Sequence, residues 1–465
     1  MIGFLLLICS LQPLLSNNVY FNFSFVLLIS VILTVETHFW LPMRVFKFGG
    51  ASVNSANAVK NVASILQCFT NQQVITIISA MGKTTNAMEE LTQSYFTNTD
   101  FIPVLERIKQ YHLDIIRNLY PESDIRNAIN SFSQITDELL SVLNSNHSNN
   151  YDFEYDRIVS YGELISTRIV SDYLNYLGFQ NQWLDVRKVV KTNSNWREGK
   201  VDWKETQQNM NTFVSPYFAD KSSGLIITQG FIASDKSNNT LTLGREGSDY
   251  SAAIFAYCMN VSDMTIWKDV PGLLNADPKF FPEAKKIDSI SYNEAIELAY
   301  YGATIIHPKT IKPLQNKGIS LFVKSFVSPE AEGTLICNNP QSEIKLPCYI
   351  FKQKQILLSI YPKDFSFIAE ENLSHIFALF ASNNIKINLM QNSAISFSVC
   401  MDENKERFEG LLQALNENYK IRFNENLTLI TIRHYDQQTI DQVIGHRKII
   451  LEQYSRLTAQ IIVSD

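Results

Sequence analysis

The chain has 465 residues and a formal net charge of -6. That is long enough for two or three domains with sizeable cores, and too acidic to point to nucleic acid. Six cysteines, at 9, 68, 258, 337, 348 and 400, are scattered without a C-x-x-C pair, which argues against a disulfide framework or a zinc site and suits a reducing cytoplasm. Residues 1–42 differ from the rest, with two apolar runs, Ile2 to Ile8 and Phe25 to Val35, and no lysine or arginine. The basic start of a secretory signal is missing, and the second run is short for a membrane span. A lipid anchor, core packing and a true start at Met43 all fit. The last is preferred, because the organising strand begins at Val45.

That strand opens VFKFGGASV, Val45 to Val53. An apolar strand carries Lys47 near its end and runs into Gly49 and Gly50, where backbone can approach a ligand closely. Helical spacing from Asn54 to Leu66 then sets a helix N-terminus nearby, which favours an anion. Strand, glycine turn, lysine and helix describe a phosphate cradle; a tight strand–helix turn with a surface lysine explains the same residues equally well.

VITIISAMGKTTN repeats the pattern: a buried strand, Val74 to Ile78, ends in a polar loop holding Ser79, Gly82 and Thr85. Ligands of open α/β sheets sit at such carboxyl ends. Asn86 to about Leu143 reads as helical, with His112 a packing or surface histidine. A loop follows at Asn144 to Asn150. Arg157 to Leu174 is amphipathic and helical after Gly162, with Glu163 in the first turn, where the helix dipole alone could explain it. Gly224 to Ser234 is another buried strand. GREGSDYSAA then places Arg245 in a loop, with Ser248 and Asp249 able to cap a helix, and arginine suits a planar carboxylate. Met264 to Lys279 is a strand and a turn-rich loop. Helix, glycine turn, strand and a second helix from Pro308 follow, with His307 structural. Two short strands then close the unit at Ile336.

Cys337 to Cys348 reads as a linker. Beyond it, Gln355–Tyr361, Glu371–Ser382, Ile385–Met390, Ala394–Met401, Glu406–Asn416 and Tyr419–Phe423 spell βαββαβ, a ferredoxin-like module. Leu427 to Arg433, a helix through Leu451 and Thr458 to Val463 add a shorter βαβ piece.

KFGGASV, SAMGKTTN, GELIST, LGREGSDYSAA, WKDVPGLLNADPK, ELAYYGATIIHPKT and EGTLI, in that order, resemble the aspartate kinases. The resemblance runs from Met43 to the C-terminus. It implies an α/β amino-acid kinase fold, an open, mainly parallel sheet between helices, over residues 43–336. A linker at 337–348 and α+β ferredoxin-like ACT modules over 349–465 would follow. No homoserine dehydrogenase domain follows, so a monofunctional enzyme is implied. The implied reaction is ATP-dependent, Mg²⁺-assisted phosphorylation of the L-aspartate side chain, the first step toward lysine, threonine and methionine, under feedback control. Lys47 would neutralise the transferring phosphoryl group, with Gly49 and Gly50 contacting ATP. Ser79 and Thr85 would line the aspartate pocket. Glu163 would meet the substrate ammonium and Arg245 its α-carboxylate, with Ser248 and Asp249 completing the pocket. Lys268, Asp269 and Lys279 match the nucleotide-side loop. Asn388 and Ser393 are similar to positions that hold an amino-acid effector at ACT subunit contacts, which also implies a homo-oligomer. No protein metal-ligand set is implied; Mg²⁺ would ride on the nucleotide, with help from Asp249. The chain departs from the family pattern at Lys268, Leu274 and Thr304, all on the nucleotide side. A glutamate-type amino-acid kinase and a catalytically silent amino-acid sensor are the competing readings.

Overall fold

The computed structural model describes residues 43–303, 306–340, 346–364 and 366–464. The N-terminal extension and Thr304 therefore lie outside the described residues, as does part of the expected linker. Among the described residues no helix is long and apolar enough to cross a membrane.

An eight-stranded sheet runs in the order β3-β4-β2-β1-β7-β9-β10-β8. Its strands are β1 (Arg44–Phe48), β2 (Gln73–Ile78), β3 (Gln182–Leu184), β4 (Gly224–Gln229), β7 (Asp263–Lys268), β8 (Ser289–Ser291), β9 (Ser320–Ser325) and β10 (Thr334–Cys337). A small hairpin of β5 (Ile232–Ser234) and β6 (Thr240–Thr242) stands apart. β1 lies at the centre, parallel to both β2 and β7, and only β10 runs against its neighbour β9. All six residues of β2 are buried. Such runs lack alternation because helices cover both faces of a parallel sheet.

The helical reading of 86–143 resolves into α1 (Ala56–Gln67) before it, then α2 (Thr84–Phe96), α3 (Ile102–Leu119) and α4 (Arg126–Leu143). α5 (Tyr151–Val159) and α6 (Tyr161–Tyr176) divide at Ser160, so the amphipathic run is helical on both sides of Gly162. α7 (Trp203–Phe213), α8 (Ser215–Phe218), α9 (Gly247–Met259), α10 (Tyr292–Tyr301) and α11 (Pro308–Lys317) complete this part. His112 is fully buried, and its ring bonds to Thr84 and the Ile108 carbonyl. His307 caps α11, its Nδ1 accepting from the Lys309 amide at 3.1 Å. Both are structural, as expected.

A six-stranded antiparallel sheet, β12-β13-β11-β14-β16-β15, follows. β11 (Cys348–Pro362) and β14 (Tyr419–Arg433) are each 15 residues long and run through its middle. The strands read separately as Tyr419–Phe423 and Leu427–Arg433 are thus one. One half, with β12 (Ile387–Asn392), β13 (Phe397–Asp402), α12 (Glu370–Ser382) and α13 (Lys405–Asn416), is the expected βαββαβ unit, closed by Ile356, Leu358, Phe380, Val399 and Leu411. The other half differs from expectation. α14 (Gln437–Ile444) ends before Gly445, and β15 (Lys448–Tyr454) pairs with β16 (Thr458–Ser464) where a helix through Leu451 was read. Ile449 and its neighbours fit helical spacing locally, and strand pairing overrides it. This second core takes in Ala276 and Phe281 from the loop after β7. Arg433 of β14 forks onto Glu294 of α10, Nε to Oε1 at 2.9 Å and Nη2 to Oε2.

Candidate active site

The carboxyl ends of β1, β2, β4 and β7 open on one cavity of about 700 Å³. Lys47, Gly50, Ser79, Thr85, Glu163 and Arg245 line it, as do Ser248, Asp249 and Lys268. Nine of the residues singled out from sequence thus meet at one place, although they come from five separate stretches of chain.

Local chemistry explains how. The Phe48 carbonyl accepts from the Ser79 amide at 3.1 Å, and Gly50 O accepts from Gly82 N at 3.0 Å, so the loops after β1 and β2 are stitched together. A Cβ on Gly50 would stand 2.7 Å from the Ala80 carbonyl, too close for any side chain. Gly49 lies just outside the cavity wall, its Cβ direction facing Lys47 Nζ at 3.4 Å.

Lys47 Nζ is 2.7 Å from Asp249 Oδ1, with side chains only 11% and 6% exposed. Asp249 is therefore not a helix cap: the N-cap position before α9 is Glu246, with a left-handed φ of 56° and no side-chain cap hydrogen bond, and Asp249 lies within the first turn. A nearly buried ion pair at a strand end holds a lysine ready for an anion while the carboxylate balances its charge.

Glu163 sits in the first turn of α6, but the dipole reading does not suffice. It is 2% exposed. One oxygen meets the Ala80 amide at 3.4 Å, while Oε2 is buried without a hydrogen-bond partner among the described residues. Burial pushes its carboxyl up to about 8, against the smaller pull of the Ala80 amide. A buried carboxyl facing a cavity with a spare oxygen is built to receive a cation.

Asp269 lines a neighbouring cavity of about 460 Å³, together with Leu274, Asp277 and Gly302 and with Cys348 to Phe351 of β11. Lys268 borders both cavities. Lys279 borders neither; its amide donates to Asp277 Oδ1 within an exposed turn. The motif match placed Lys279 correctly in the loop, but not at either cavity.

Tyr155, Arg197, Glu198, Phe231 and Glu246 also line the larger cavity, and sequence reasoning passed over them. Phe231, directly after the strand-end Gly230, was the findable one. Arg197 and Glu198 lie in a turn-rich stretch without periodicity, which gives no local signal. Asn388 and Ser393 lie elsewhere. Asn388 accepts from Lys352 Nζ at 2.8 Å and donates to Gln355 and Asp402, both at 2.9 Å. Ser393 is exposed, its hydroxyl 2.7 Å from that of Ser396.

Residues 42–325 match the amino acid kinase family. The sequence is 31% identical to the lysine-sensitive aspartokinase 3 of Escherichia coli, over 83% of this chain and 86% of that one. It is 30% identical over 65% of its length to the bifunctional aspartokinase/homoserine dehydrogenase 2 of Arabidopsis thaliana, of which it spans 33%. The crystal structure of E. coli aspartokinase III in complex with aspartate and ADP matches with a TM-score of 0.76 at 28% identity, covering 90% of this chain and 96% of that one. The chain belongs to the aspartokinases of the amino acid kinase family.

Proposed function

We propose that this chain transfers the γ-phosphoryl group of ATP to the side-chain carboxylate of L-aspartate, giving 4-phospho-L-aspartate and ADP. The observation that carries this reading is the pairing, in one cavity, of the buried Lys47–Asp249 pair with a cation-seeking Glu163 and the Arg245 loop. Glu163 receives the substrate ammonium and Arg245 forks onto the α-carboxylate. Ser79, Thr85 and Ser248 fill the pocket wall. The reacting carboxylate has a pKa of about 4 and is ionised at neutral pH. No general base is needed. The chain's work is to position the two reactants and to stabilise charge on the phosphoryl oxygens. Lys47 does the latter, leaving Asp249 as the anion approaches. Asp269 and Lys268 serve the nucleotide from the adjoining cavity, while Lys279, exposed in its turn, contributes charge at most through solvent.

Mg²⁺ would be held by nucleotide phosphates and water, with Asp249 at most. When bound, Mg²⁺ supplies charge neutralisation on those phosphates. Residues 43–336 form the catalytic domain and 349–465 the regulatory one. Edge strand β12, with Met390 51% exposed on it and Ile395 56% exposed just after it, supports a homo-oligomer formed through the six-stranded sheet. Release of ADP with L-aspartate tests the function. ADP release with L-glutamate alone, or with neither amino acid, would overturn it.

A further inference from the structure

We propose that Asp156 is a positioning residue for the amino-acid pocket: it clamps the Arg197 loop against the loop of Arg245 and so sets where substrate is held. The proposal rests on the assignment of the larger cavity to aspartate.

Asp152, Tyr155 and Asp156 stand at i, i+3 and i+4 on one face of α5, and all three hold Arg197. Its guanidinium lies 4.2 Å from the Tyr155 ring centroid and 3.3 Å from Asp152 Oδ1. Its backbone amide donates to Asp156 Oδ2 at 2.8 Å. The hold is needed because Arg197 has a φ of +63°, a conformation that L side chains adopt at a cost. The second Asp156 oxygen accepts from the Thr242 hydroxyl at 2.7 Å. Thr242 ends β6, two residues before Gly244, and its carbonyl accepts from the Gly199 amide at 2.9 Å.

One buried carboxylate thus joins two chain segments that both line the cavity, one through Arg197 and Glu198 and the other through Gly244, Arg245 and Glu246. They press together closely. A Cβ on Gly244 would lie 3.2 Å from the Arg197 carbonyl, and Gly244 itself has a φ of +79°. Asp156 is fully buried, and desolvation pushes its carboxyl up to about 6 despite the bonds that it accepts. A merely structural polar group could sit there more cheaply as an uncharged side chain. A carboxylate, however, can accept two bonds in fixed directions at once.

The test is kinetics of the full chain with both substrates. Asp156→Asn keeps an oxygen for Thr242 but offers an NH₂ group to the Arg197 amide. Thr242→Val removes the other bond and leaves Asp156 in place, so it serves if the first variant does not fold. Each should raise KM for L-aspartate about tenfold, with KM for ATP changed less than about twofold. Arg245→Ala is the control on the underlying assignment. If Arg245→Ala raises the aspartate KM and the other two leave it unchanged, the clamp is wrong while the pocket stands. If Arg245→Ala leaves it unchanged, the pocket assignment fails and the clamp with it. Equal rises for aspartate and ATP would make Asp156 a structural residue and overturn the proposal.

Discussion

The larger cavity and the edge of the six-stranded sheet both present polar groups at strand ends, yet they are in opposite states. In the cavity, Glu163 is buried with an oxygen to spare, and Lys47 is held by a single carboxylate. At the sheet edge, both ends of the Asn388 amide are taken by Lys352, Gln355 and Asp402, and Ser393 is exposed to solvent. The first region stores unmet demand, which a cationic ligand would satisfy. The second is satisfied or solvated within one chain. A ligand there must displace an existing bond or find its other half on another subunit. On the proposed function, the groups that hold the reactants would come from one chain, and an effector site at the sheet edge would need a second.

The sharpest break of that comparison is at Lys47. Lys47→Ala removes a strong, nearly buried charge from the phosphoryl site. That should cost roughly 3 to 4 kcal/mol, or about 10²- to 10³-fold in turnover. The fold should persist, since β1 keeps Val45, Phe46 and Phe48 in the core. A folded variant within about threefold of the parent rate would deny Lys47 its role.

Glu163 gives the next largest effect and a pH signature. Burial pushes its carboxyl up to about 8, so Glu163 is mostly protonated at neutral pH, while the substrate ammonium demands the ionised form. Aspartate kcat/KM should therefore rise with pH through about 8. Glu163→Gln should flatten that rise and cost about 10- to 100-fold, the worth of a hydrogen bond between charged groups. A profile unchanged in the variant would assign the titration elsewhere. The same shift has a stability consequence. The carboxyl is protonated more readily folded than unfolded, so its contribution is full below the unfolded value of about 4 and is lost as pH rises through about 8. Melting of the unliganded protein should reveal this loss, and saturating aspartate should reduce it.

The same contrast explains what could be read from sequence. Strand-end glycines beside a lysine, an arginine or hydroxyls are local patterns. Lys47, Gly50, Ser79, Thr85, Arg245, Ser248 and Asp249 of the cavity are legible because each lies in a motif that carries its own turn chemistry. What Asp249 does was not legible, since its partner Lys47 lies on a distant strand and capping is the only local explanation. Arg197 was missed for a like reason: its three partners lie on a helix that ends 38 residues before it. The buried strands, the helices between them and the first ferredoxin-like unit follow from periodicity, whereas the amino-acid kinase fold follows from the motif resemblance. The second unit misled because Lys448 to Tyr454 suits a helix in isolation, and only pairing with β16 makes it a strand. Lys279 shows the limit of a motif: position along the loop was right, but the Asp277 turn leaves it away from both cavities.

The smallest expected effect tests the other half of the comparison. Ser393 sits in a turn after edge strand β12, where its amide donates to the Ser396 carbonyl at 2.9 Å. The turn is thus preformed, while the serine hydroxyl is accessible. An α-amino acid bound there needs acceptors and donors that Asn388 can supply only by releasing Lys352 or Asp402. On the proposed assembly through the six-stranded sheet, that exchange would be offset by groups from a second copy. A ligand that prefers the less active state tenfold needs only about 1.4 kcal/mol. Ser393→Leu should therefore raise the concentration of inhibiting amino acid about tenfold or more, while leaving uninhibited turnover and the Lys47 site intact. The measurement is activity against lysine, threonine and methionine, singly and in pairs, on parent and variant. Equal inhibition of both would place the effector elsewhere. Inhibition that survives dilution to the monomer would instead break the contrast, because the regulatory edge would then be complete within one chain.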